Sequence, residues 1–194
     1  MNERIREIKY RVWTSVIVVL LFIIASGVGI LYWLNSGMVQ LSSDISAGMA
    51  SVKTVVSDVT VTDSGVKVYG YTKSVTINGS NAEIQTVIGK LTPNSLDYQE
   101  TVDYQFAEGV KAGDLFKIQL LGGIFSDYKI ENGVLTGVVS ARNVGKFFGS
   151  ANLKALTDAS VTMTFDEDNK LTEMTAEFNL ESGKLFTLTA NYTY

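Results

Sequence analysis

Twenty-three consecutive residues without a charge, Val12–Leu34 (VWTSVIVVLLFIIASGVGILYWL), limit this chain more than any other feature. As a helix the run reaches about 35 Å, enough to cross a hydrocarbon core of about 30 Å with some tilt. Trp13 stands at one end and Tyr32 and Trp33 at the other, where amphipathic rings favour the bilayer interface. The stretch predicts a single transmembrane helix. It divides the 194 residues into a tail (1–11), the helix (12–34), a linker (35–52) and one outer domain (53–194).

The charge distribution orients that arrangement. Arg4, Arg6, Lys9 and Arg11 stand against Glu3 and Glu7 in the tail, a net +2, while the other residues hold 12 basic and 18 acidic side chains, a net −6. Basic residues beside a first spanning segment keep that end in the cytoplasm, so the C-terminal domain is expected on the extracytoplasmic side. A cleaved signal peptide is the alternative. Its apolar region would run only about 7–15 residues, and the small-residue stretch Ser46–Ala50 lies well beyond the apolar run. An acidic domain is a poor partner for nucleic acid or anionic lipid. The chain has no cysteine and no histidine, which removes disulfides, thiolate metal sites and the commonest neutral-pH base. The expectation is a non-enzymatic protein with no metal and no cofactor.

In the linker, Met38, Leu41, Ile45, Met49 and Val52 recur at steps of 3, 4, 4 and 3, one face of an amphipathic helix that would rest on the β domain or serve as a partner contact. A break near Asn35–Gly37 would separate it from the membrane helix, and an unstructured tether is the alternative. From Lys53 the period becomes two. Strands are expected at Val55–Val61, Val66–Ile77, Ala82–Leu91, Gln99–Phe106, Tyr128–Ile130 and Val134–Val139, with Asn78-Gly79 and Asn132-Gly133 as hairpin turns. The last 37 residues alternate most cleanly: Ala159–Phe165, Glu173–Leu180 and Phe186–Tyr194 make an antiparallel meander with one buried and one wet face. Ser140–Leu156 interrupts the strand rhythm as one or two short helices, with Ser140 as candidate N-cap. The expected fold is therefore a mainly antiparallel β domain, a curved sheet or half-barrel with short covering helices, and a β-sandwich is the alternative.

The candidate ligand-lining residues are Leu115, Phe116, Ile118, Leu120, Leu121 and Phe125, around Gly122-Gly123, together with Phe147 and Phe148. Such apolar side chains either line a cavity or fill an ordinary core. Asp166-Glu167-Asp168-Asn169 offers carboxylates for Ca²⁺, but it lacks the glycine and distal glutamate of an EF-hand loop and reads as a solvated turn.

The strand order, the helical interruption at Ala141–Leu156 and the closing meander with FDEDNKL at Phe165–Leu171 resemble the LolA-like extracytoplasmic lipoprotein carriers over residues 53–194. That resemblance implies a large curved antiparallel sheet with short helices over an apolar cavity. Such carriers are soluble or lipid-modified on cysteine, whereas this chain has a protein anchor in prospect. The function to expect is a membrane-anchored extracytoplasmic binding module for a lipid or other apolar ligand. The alternative is a structural or accessory subunit of a cell-envelope complex.

Overall fold

The computed structural model describes residues 36–89, 98–108, 120 and 123–194. The expected tail, membrane helix and Pro93 loop lie outside the described residues. Among the described residues no helix is long and apolar enough to cross a membrane. The strands all belong to one unit, Leu41–Tyr194; of the unit before it, only the start of the first helix is described.

That helix, α1, spans Ser36–Met49. Met38, Leu41, Ile45 and Met49 on its stripe are all buried, as is Val52 just beyond its end. Polar Gln40, Ser43 and Ser46 take the exposed positions.

Nine strands follow: β1 (Thr54–Asp63), β2 (Val66–Asn78), β3 (Asn81–Ile88), β4 (Tyr98–Gln105), β5 (Phe125–Glu131), β6 (Val134–Val139), β7 (Ala159–Phe165), β8 (Leu171–Asn179) and β9 (Leu185–Thr193). They form a single mainly antiparallel sheet in the order β4-β3-β2-β1-β9-β8-β7-β6-β5. Two meanders, β1–β4 and β5–β9, are joined where the first strand meets the last: Val55 pairs with Tyr192 and Val59 with Leu188. One continuous sheet with few helices has the form of a half-barrel, and the sandwich alternative falls away because there is no second sheet among the described residues. Consecutive strands β4 and β5 stand at its opposite edges.

The turns show which local signals decided the register. Asn132 (φ 51°) and Gly133 (φ 73°) both take the left-handed region between β5 and β6, the two-residue hairpin that Asn-Gly favours. The other Asn-Gly pair behaves differently. Asn78 still pairs with Asn81, so Gly79 and Ser80 make that turn and β2 is one residue longer than expected.

The interruption after β6 is shorter than its apolar pattern suggests: one 3₁₀ turn, Ala141–Asn143, runs into a single helical turn, α2 (Val144–Phe147). Ser140 makes no side-chain capping bond. The Asp158 carboxylate, from a residue seventeen positions later, instead accepts the Ala141 N–H at 2.9 Å. Beyond α2 the chain is held by turns and by one isolated bridge between Ala155 and Leu180.

Candidate functional site

Cross-strand partners share a face, so the register divides the sheet's two sides residue by residue. Across β7, β8, β9 and β1, one face presents Val161, Ala176, Leu188 and Val59 in one row, and Met163, Met174, Ala190 and Ser57 in the next. Apolar side chains of these rows are mostly buried; Met163 has no exposed surface. The opposite face carries Thr60, Thr162, Thr175, Thr187 and Thr189, the polar side of each alternation.

At the β5–β9 end the inner face is closed by aromatic packing. Phe147, fully buried, meets Phe125 edge to face at 5.6 Å and Phe148 at 4.8 Å. Phe148 stacks on Phe178 at 6.2 Å, and Phe178 contacts Phe186 at 4.7 Å. The side-chain amide of Asn143 ties this turn to the carbonyl of Gly123 at 3.2 Å. Phe147, expected against a ligand, is buried among these rings, and Phe125 and Phe148 are half-buried members of the same group. Leu120 is also buried. Leu115, Phe116, Ile118 and Leu121 lie outside the described residues.

At the other end the same inner face is covered less completely. Val55 pairs with Val75, Val75 with Ile84, and Ile84 with Val102; Ala82 pairs with Tyr104, and Ile88 with Tyr98. Near the turn, Phe106 covers Val75 and Ala82, with Ile77 and Ile84 against them. Outside that small cluster Tyr71, Lys73, Thr86 and Ile88 are half-buried, and the exposed side chains lie on β4 and at Tyr69. Tyr69 is 44% exposed, Tyr98 49%, Val102 43% and Tyr104 45%. Tyr69 and Tyr71 meet edge to face at 6.0 Å, and Tyr104 meets Phe106 at 5.7 Å. The exposed tyrosine and valine surface on β4 and at Tyr69 is apolar area left in contact with water. Burial, and then the neighbouring Tyr69, push the Tyr71 phenol above its ordinary range. A hydrogen bond with Glu100 does the same for Tyr98.

Sequence reasoning took β4 as an ordinary strand and did not mark these residues. Its alternation, Tyr98, Glu100, Val102 and Tyr104 against Gln99, Thr101, Asp103 and Gln105, carries the face but not its exposure. All eight side chains are exposed, because β4 is also an edge.

The carboxylate run at 166–169 is a turn. Asp166 accepts the N–H groups of Asp168 at 3.0 Å and Lys170 at 2.8 Å through one carboxylate oxygen. Among the described residues no group of three or more His, Cys, Asp or Glu is placed to hold a metal ion. Next to that turn, Tyr194 donates to the Leu171 carbonyl at 2.9 Å. Burial, with the Asp166 charge adding to it, pushes its phenol up to about 12 against that hydrogen bond. Burial raises Tyr192 further.

No family model matches the chain, and no curated protein matches it. Among solved structures it is similar to LprF from Mycobacterium bovis, with a TM-score of 0.40 at 13% identity over 81% of this chain and 93% of that one. Lipoprotein LppX from Mycobacterium tuberculosis gives a TM-score of 0.40 at 13% identity over 82% of this chain and 94% of that one. The dehydratase domain from the CurK module of Curacin polyketide synthase gives 0.23 at 9% identity, over 74% and 75%.

Proposed function

We propose that this chain is a membrane-anchored extracytoplasmic binding module, without enzymatic activity, whose open sheet face takes a lipid or other apolar ligand. One observation carries the reading: Tyr69, Tyr98, Val102 and Tyr104 continue the face that forms the core at β7 and β8, yet are about half exposed. Tyrosine suits the task, offering a broad apolar ring and a hydroxyl that remains solvated at the rim. The anchor rests on the uncharged run Val12–Leu34 and its basic flank, which also support an N-terminus in the cytoplasm. The test is to purify the full-length chain and its Val102→Asp/Tyr104→Asp double variant in the same detergent. Organic extraction and mass spectrometry then compare the lipid each retains. The native chain is expected to hold at least one lipid species that the variant lacks; identical lipid profiles from two equally folded proteins would refute the reading.

A second reading, an accessory subunit of an envelope complex, is favoured by the β4 edge. It presents eight exposed residues with no lysine, proline or bulge to discourage a further strand. In that case the edge would pair with a partner's extended segment, and crosslinks from Thr101 and Asp103 in the membrane would capture protein.

A further inference from the structure

The chain from Ala141 to Ala155 and the turn at 180–184 border a half-open cleft of about 270 Å³. Its lining concentrates charge of one sign: Arg142, Lys146 and Lys154 against Glu181 alone. Residues 12–194 carry a net −6, so three cations around one small cleft are not a sample of the surrounding surface.

The local fold builds this arrangement. Val144 and Phe147 are buried inward, which turns Arg142 and Lys146, one helical turn apart, to the exposed side. Gly145 lies between them, where a Cβ would come within 2.7 Å of the Ser150 carbonyl and 2.8 Å of the Leu153 carbonyl. The following loop can close this tightly only on glycine, and the Ser150 N–H donates to the Gly145 carbonyl at 2.8 Å. Lys154 comes from that loop. The loop is pinned to the turn by the Glu181 N–H donating to the Lys154 carbonyl at 3.3 Å and the Leu156 N–H donating to the Asn179 carbonyl at 2.7 Å. The Glu181 carboxylate reaches the Lys154 ammonium only at 4.0 Å. Among the described residues Arg142 and Lys146 have no carboxylate within ion-pair distance.

We propose that this cleft binds a phosphate group. A guanidinium supplies a planar two-toothed donor and two ammoniums supply compact charge, the combination suited to a phosphate's several oxygens. Glu181 is the internal counter-ion, exchanged for the phosphate at Lys154. Ala141, Ala151 and Leu153 leave apolar wall for the organic part that bears the phosphate. The site lies apart from β2–β4 and stands without the apolar-ligand reading.

Calorimetry on the full-length chain in a nonionic detergent tests it with three probes: inorganic phosphate, glycerol 3-phosphate, and phosphatidylglycerol in mixed micelles. Saturable binding is expected. It should weaken about tenfold in Arg142→Gln and in Lys154→Gln and fall with added salt. It should tighten severalfold in Glu181→Gln, a gain that damage to the fold would not produce. Equal affinity for glycerol 3-phosphate and phosphatidylglycerol assigns the site to soluble phosphates, and a strong preference for phosphatidylglycerol assigns it to a lipid headgroup. No saturable binding of any probe would overturn the proposal. So would an Arg142→Gln protein that binds as the native chain does.

Discussion

Replacing Phe147 by alanine separates core from ligand wall at the position where the two were hardest to tell apart. Truncating a fully buried phenylalanine costs about 3–5 kcal/mol, from lost transfer energy and the space left behind. Phe147 has no exposed surface and also loses its edge-to-face contacts with Phe125 at 5.6 Å and Phe148 at 4.8 Å. Each such contact adds about 0.5–1.5 kcal/mol, so the low end of the range does not apply and about 4 kcal/mol is expected. With a urea dependence of about 2 kcal/mol per molar, the unfolding midpoint should fall by about 2 M. Far-UV circular dichroism of the full-length chain in detergent follows the β domain through that transition. Tyr104→Ala, at a side chain 45% exposed, should cost less than about 1 kcal/mol and serves as the reference. The reasoning is refuted if Phe147→Ala shifts the midpoint no further than Tyr104→Ala, since Phe147 would then face space that alanine leaves undisturbed.

Other outcomes follow from particular contacts. Asp158→Ala should cost about 1 kcal/mol in thermal unfolding by freeing the Ala141 N–H, while Ser140→Ala should be near neutral. Gly133→Ala should destabilise by about 1–2 kcal/mol, because φ is 73° and the new Cβ would stand 3.1 Å from the Phe165 carbonyl. Alkaline pH should unfold the domain through Tyr192 and Tyr194. Folding raises both phenol pKa values, so their contribution is intact below about pH 10, where the unfolded phenols are still protonated, and is lost as pH rises through the folded values, about 12 for Tyr194. Each pH unit above 10 should remove up to about 1.4 kcal/mol through buried Tyr192, and Tyr192→Phe should abolish that share of the slope in urea titrations.

The parts of the fold that could be read from the sequence are those specified within a few residues. Alternation located every strand of the closing meander, since Val161, Met163, Met174 and Ala176 each bury one side of a two-residue repeat. The 3-4-4-3 stripe of Met38–Val52 likewise indicated a helix, and α1 occupies Ser36–Met49. What escaped depends on distant partners. The cap on the 3₁₀ turn comes from Asp158, so nothing near Ser140 announced it. Asn78 was claimed by its pairing with Asn81 in preference to the turn its own sequence favours. Exposure of Tyr98, Val102 and Tyr104 follows from the position of β4 at the sheet's edge, and their alternation is the same as that of a buried strand. Phe147 illustrates the reverse: a phenylalanine pair reads alike as core or cavity wall until Phe125 and Phe178 are seen beside it.

Photo-crosslinking in the native membrane tests the central claim most directly. A photoreactive phenylalanine analogue is placed at Tyr104, on the open inner face, and in a separate protein at Asp103, on the outer face of the same strand. After irradiation of intact cells, mass spectrometry of the full-length chain identifies what each position touched. The account predicts a lipid adduct at 104 well above the level at 103. A protein adduct at 104, or equal lipid labelling at the two positions, would contradict it.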